Sequence, residues 1–149
     1  MRAVVQRVSR AKVEVAGRVV GEIGGGLLVL LGVAKTDTRR DADYMADKLA
    51  GLRIFPDDAG KMNRDVREAG GGMLIVSQFT LYGNVRRGRR PGFDNAADAE
   101  LARTLYEYII SLIQARGVPV QTGTFQATMS VHLVNEGPVT IIVDSDRIT

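Results

Sequence analysis

The chain has 149 residues, 45% hydrophobic and 25% charged, with a net charge of +3 and a pI near 9.5. That length suits one domain with a real core, spanning residues 1–149, and the mild basic excess is not the signature of an obligate nucleic-acid binder. With no cysteine, disulfide frameworks and thiolate chemistry are excluded, which fits a reducing cytoplasm, and the charge-broken MRAVVQRVSR and short GGGLLVLLGVA read as neither leader nor membrane span.

In chain order, AVVQRVSRAKVEV and RVVGEIGGG alternate apolar with polar and read as two paired strands. LLVLLGV is apolar on both faces and short, which suits a buried central strand. DTRRDADYMADKLAGLRIF predicts a helix capped by Asp37 or Thr38, with Ala42, Met45, Ala46, Leu49 and Leu52 along one stripe. RIF begins a short strand before the turn PDDAG. MLIV is a second buried strand, and a long helix follows from about Asn95 to Arg116, capped by Asp94 or Asn95 and stopped by Gly117.

The remainder is strands and turns: Leu133–Val134 and Val139–Val143 read as two strands, with Gly137-Pro138 as the turn between them. The fold class is therefore α/β, a single mixed domain of order β2-(βα)2-β3 with two helices packed on sheet layers.

The usual chemical constellations are missing. A single histidine, His132, cannot build a metal cluster and reads as structural. No metal or cofactor is expected. GEIGGGLL leads into a strand rather than a helix, so it is no nucleotide loop. What remains is SQFTLYGN after the strand MLIV. Ser77, Gln78 and Thr80 either cap the strand or form a ligand site at its carboxyl end. Arg86, Arg87, Arg89 and Arg90 follow on one loop with no acid among them. They form a solvated stretch or a phosphate surface, for which the planar guanidinium is suited.

SQFTLYGN, then RRGRRPGF, TGTFQATM and NEGPVT, with VVQRV, LRIFPDDAGKMN and VDS, resemble the D-aminoacyl-tRNA deacylase family over essentially the whole chain. SQFT and GPVT together, in this order and spacing, are specific. Gln126 stands where the family pattern has glycine, and Gly92 where it has serine.

The resemblance implies hydrolysis of the ester joining a D-amino acid to the 3′ end of tRNA, with no DNA or membrane partner. It also implies a homodimer with a cross-subunit active site, in which a cis Gly137-Pro138 reaches into the partner's site. The expected catalytic residues are Gln78, Phe79 and Thr80. Ser77, Gly137, Pro138, Phe125 and Met129 are the expected substrate-binding and chiral-selection residues, and the four arginines the tRNA-binding ones. Nothing near Thr80 in sequence can serve as its base. The expected mechanism is therefore backbone stabilisation of the oxyanion near Phe79 and Thr80, assisted by the free ribose hydroxyl.

Overall fold

The computed structural model describes residues 1–149. Strand β1 (Arg2–Val15) is the spine. One edge pairs antiparallel first with β3 (Gly26–Gly32) and further along with β2 (Arg18–Ile23), as the paired-strand reading expected. Its other edge pairs with β8 (Ser130–Asp144). Beyond β3 the sheet continues in parallel through β6 (Gly72–Ser77) and β7 (Val120–Thr122). The small hairpin β4 (Phe55–Pro56) and β5 (Met62–Arg64) stands apart.

The sheet curls until β2 meets β7. A Cβ on Gly21 would lie 2.2 Å from the Thr122 carbonyl oxygen, so only glycine permits that approach and the near-closure into a barrel. The sheet layer is thus one sheet folded back on itself.

Alternation explains the core. In β3 and β6, Leu27, Val29, Leu31, Met73 and Ile75 point toward the helices, while Leu28, Leu74 and Val76 point into the barrel. Both strands are covered on both faces, as their unbroken apolar runs require. In β1, Ala3 and Val5 face the helices, but Ala11 and Val13 join Val8 inside. The switch of phase comes from a bulge. Val8 pairs Asn135 and Arg10 pairs Val134, so Ser9 is the extra residue.

Helix α1 (Arg39–Gly51) starts at Thr38, whose hydroxyl accepts from Arg40 N–H while Asp41 accepts from Thr38 N–H. It buries Ala42, Met45, Ala46 and Leu49; Leu52 lies just past the end. Helix α2 (Ala99–Ala115) buries Leu105, Tyr106, Ile109 and Ile113 against the same face. Its cap is Asp98, which accepts from Leu101 N–H at 2.9 Å, and not Asp94 or Asn95. The reason is tertiary. The Asn95 carbonyl accepts from Lys35 N–H and Ala97 N–H donates to the Val33 carbonyl, so this segment is committed to the exit of β3.

β8 runs unbroken where two strands and a turn were read. Its Pro138 lies in a bulge where Arg7 alone faces the stretch between Asn135 and Thr140. A proline is tolerated there because the bulge takes it out of the ladder and β8 has no partner on its other edge.

Tyr106 ties α2 to the sheet through its hydroxyl, which donates to the Ile75 carbonyl at 2.6 Å. Burial pushes its phenol up to about 12. An unfolded tyrosine ionises near 10, so stability should be full below that value and fall as pH rises toward about 12. Tyr106→Phe should cost about 1 kcal/mol at neutral pH and flatten that alkaline fall. Urea denaturation at a series of pH values checks both.

Candidate active site

β6 ends at Ser77, and one more rung follows: Gln78 N–H donates to the Leu31 carbonyl at 2.8 Å. The chain then closes a 3₁₀ turn, Phe79–Tyr82, with Gly83 N–H donating to the Thr80 carbonyl at 2.9 Å. The N–H groups that open such a turn have no partner inside it. Those of Phe79 and Thr80 find no acceptor elsewhere in the chain. The Gln78 side-chain amide donates to Thr80 Oγ1 at 3.0 Å. A carboxamide in either orientation is no base, and no carboxylate or imidazole bonds the Thr80 hydroxyl.

The turn is seated from below. It lies against Gly32, where a Cβ would stand 3.0 Å from Leu81 Cβ and 3.1 Å from the Gln78 carbonyl oxygen. Arg2 donates through Nη1 to the Leu81 carbonyl at 3.1 Å and through Nε to buried Asp144 at 2.9 Å, and its guanidinium lies 4.8 Å over the Tyr82 ring. Burial, then the carboxylates of Asp37 and Asp144, push the Tyr82 phenol well above its usual range, so it stays neutral. Behind this lies buried Asp37, which accepts from the Met1 ammonium at 2.8 Å; burial raises its carboxyl against that partner.

The loop from β7 to β8 leaves the sheet at the same end, because Thr122 pairs in parallel with Ile75. It carries Phe125 and Met129. Phe125 packs 6.1 Å from Tyr106, with the Arg103 guanidinium 4.8 Å over its ring. Met129 lies against the barrel cluster of Leu74 and Val76, over Gly123. Ser77, Gln78, Phe79, Thr80, Phe125 and Met129 are therefore gathered at the carboxyl end of β6.

Gly137 and Pro138 are not among them. Their peptide bond is cis and exposed, in the bulge of β8. The Glu136 carbonyl accepts from Arg7 Nε at 3.2 Å, and Arg7 Nη1 reaches the Ile54 carbonyl at 2.7 Å. Gly137 has φ of +124°, and a Cβ there would stand 2.9 Å from Val139 Cγ2 and 3.1 Å from Arg7 Nη2, so glycine is required twice over. Arg2 serves the turn and Arg7 the bulge. They are five residues apart on β1, roughly 17 Å at the ~3.4 Å rise of a strand. Within one chain the two motifs occupy opposite ends of the sheet.

Arg86, Arg87, Arg89 and Arg90 lie exposed on a loop held at its neck by paired hydrogen bonds between Asn84 and Gly92 (2.8 and 3.0 Å). His132 is half-exposed on β8, paired with Lys12 and 3.5 Å from Glu14, at the end of β1 away from Arg2 and the turn.

Residues 4–144 match the model of the D-Tyr-tRNA(Tyr) deacylase family. The chain belongs to that family. Its curated relatives include D-aminoacyl-tRNA deacylases of Symbiobacterium thermophilum, 60% identical over 99% of this chain and 97% of the relative, and of Solibacter usitatus, 61% identical over the same shares. A solved structure described as "c-Myc DNA Unwinding Element Binding Protein" superposes with a TM-score of 0.92 at 39% identity, covering 97% of this chain and 98% of that one. A solved structure described as "a probable eukaryotic D-amino acid tRNA deacylase" shares the fold, with a TM-score of 0.82 at 21% identity over 96% of this chain and 98% of that one.

Three residues of the deacylase framework escaped the sequence reading: Arg2, Arg7 and Gly32. For Arg7 the available signal was a charge in phase with Ala3 and Val5, which β1 buries. The family's glycine position carries Gln126, which adopts φ of +65°, the left-handed backbone that glycine suits. Its cost to a side-chain-bearing residue is about 1 kcal/mol. Gln126→Gly should therefore raise stability by up to about 1 kcal/mol, reduced by glycine's greater unfolded-state entropy. A chemical-denaturation midpoint checks the sign.

Proposed function

We infer that this protein hydrolyses the ester between a D-amino acid and the 3′ end of tRNA, releasing free amino acid and tRNA, and that it does so in the cytoplasm. Family membership and curated deacylases about 60% identical over almost the whole chain support the reaction. The observation that carries the mechanism is the turn after β6, with two unpartnered N–H groups and a threonine lacking any base.

The ester carbonyl oxygen takes the place of the missing acceptor at Phe79 and Thr80 N–H. Gln78 orients the ester or its ribose, and Phe125 and Met129 bound the adenosine. Water attacks the carbonyl carbon, negative charge gathers on the oxygen held by the amides, and the bond to the 3′ oxygen breaks as that oxygen takes a proton. The adjacent ribose 2′-hydroxyl assists, since no carboxylate or imidazole bonds the Thr80 hydroxyl. One preorganised donor of this kind is worth about 10²–10³ in rate, and an aminoacyl ester is already activated.

Chirality is selected by a second copy of the chain. The turn and the Gly137-Pro138 bulge lie too far apart in one chain to hold the same α-carbon, whereas a two-fold dimer brings each bulge to the other's turn. The long free edge of β8, with exposed Val134 and Ile142, is compatible with such pairing. Backbone carbonyls at Gly137 and Pro138 accept from the α-ammonium. A D side chain then points to solvent and an L side chain strikes the Gly137-Pro138 wall. Glycine has nothing to strike and passes.

Matched glycyl-, D-alanyl- and L-alanyl-tRNA test this. Glycine and D-alanine should be released and L-alanine retained. Retention of all three would leave an RNA-binding module without the activity, and retention of glycine with L-alanine would mean that the site reads the D side chain directly. Thr80→Ala should stay within about tenfold of wild type in single turnover, while a terminal 2′-deoxyribose should slow release by at least about 100-fold. Loss of all turnover in Thr80→Ala with binding intact would make Thr80 the nucleophile.

The dimer has its own test. Gly137→Val and Gln78→Ala chains should each be nearly inactive alone. Mixed before assay, they should recover activity at up to about a quarter of the sites, because half of random pairings are mixed and one of their two sites is intact. A fully active monomer in sedimentation would overturn the cross-subunit site.

A further inference from the structure

Two cavities of about 450 and 470 Å³ lie side by side next to the Phe79–Tyr82 turn and share Asn84, Arg86 and Asn95 in their walls. The cavity against the turn includes Lys35, and the outer one Arg87 and Arg90. Lys35 comes from the exit of β3, some fifty residues before the arginine loop, and backbone hydrogen bonds fix it there: its N–H donates to the Asn95 carbonyl at 3.0 Å. The Asn84–Gly92 neck fixes the opposite wall. The groove is thus shaped by main chain rather than by its long side chains.

Its charge is uncompensated. None of Lys35, Arg86, Arg87 and Arg90 takes part in any ion pair of the chain. The walls contribute two carboxylates, Asp94 and Asp146, and a fifth cation, Arg2, already committed to Asp144. Beside the groove stand two phenylalanines that a soluble domain would ordinarily cover. Phe79 is 55% exposed and Phe93 37%, and they meet edge to face with ring centroids 5.0 Å apart. A cationic groove next to exposed aromatic rings is how proteins hold unpaired nucleotides: phosphates track the charge and bases stack on the rings. A duplex hides its base faces and could use only half of this surface.

We propose that this groove, with Lys35, Arg86, Arg87 and Arg90 on its walls and the Phe79–Phe93 pair at its rim, is a track for a single-stranded RNA 3′ end, holding the phosphates of the unpaired nucleotides that precede the terminal adenosine. The proposal rests on the reading that the turn after β6 receives the terminal ester, and adds the path by which the strand arrives. Lys35 anchors the phosphate nearest the ester, Arg87 and Arg90 the next ones outward, and Phe93 stacks a base between them.

The probe is a single-stranded RNA trinucleotide ending in adenosine, compared with a blunt RNA hairpin, in binding titrations over a salt series. Wild type should bind the trinucleotide better than the hairpin. Lys35→Ala should lower its log–log salt slope by about 0.7, the value for one lost phosphate contact on a single strand. Phe93→Ala should weaken the trinucleotide about tenfold with the slope unchanged, and Phe93→Tyr, which keeps a ring, should restore it. Equal losses on the hairpin, or a slope indifferent to Lys35→Ala and to the charge reversal Lys35→Glu, would overturn the track. The hydrolysis assay separates the two readings. Binding that follows these rules without release of a D-amino acid supports the track and overturns the deacylase, whereas release with an indifferent groove does the reverse.

Discussion

Strand β1 is hydrogen-bonded along both edges for nearly its whole length, and the molecule is arranged around that constraint. A strand so placed must bury side chains on both faces, yet it serves two different cores, one under the helices and one inside the barrel. The bulge at Ser9 resolves the conflict by reversing the alternation half-way. Two of its arginines become anchors. Arg2 holds the turn after β6 and Arg7 holds the bulge of β8, so a single strand sets the position of both.

The helices and central strands were legible because their signals are local. The stripe of Ala42, Met45, Ala46 and Leu49 and the two-faced apolarity of residues 27–33 each state their own burial. Gly117, with φ of +84°, closes α2 as its position suggested. The failures were non-local. Asn95 resembles a cap until the exit of β3 claims its carbonyl, and Asp98 takes the role three residues later. Gly137-Pro138 resembles a turn until β1, distant in sequence, carries the ladder past it. The same division holds for the site. Residue types at 77–80 and 137–138 were readable, but their placement at opposite ends of the sheet depends on the register of β1 with β8, which no short window contains. Lys35 was invisible for that reason too, since only the packing of β3 against residue 95 brings it to the arginine loop.

The chemistry available is main-chain chemistry. The turn offers amides, the bulge offers carbonyls, and Tyr82 within the turn is held neutral, chiefly by burial. The site depends on backbone position, and its supporting residues are glycines and two arginines that hold main-chain carbonyls.

The pairing of β1 with β8 joins Arg2 to Asp144, 142 positions apart. A contact of such long range closes late, after the local pairings of β1 with β2 and β3. Until then one edge of the spine is open, the barrel core lacks the side chains of β8, and the bulge has not been made. The N–H groups of the turn can form early, but nothing holds Arg2 beneath them while Asp144 is missing. The seat of the turn is therefore complete only once β8 has paired with β1, which makes the site a late product of folding rather than a property of the segment that carries it.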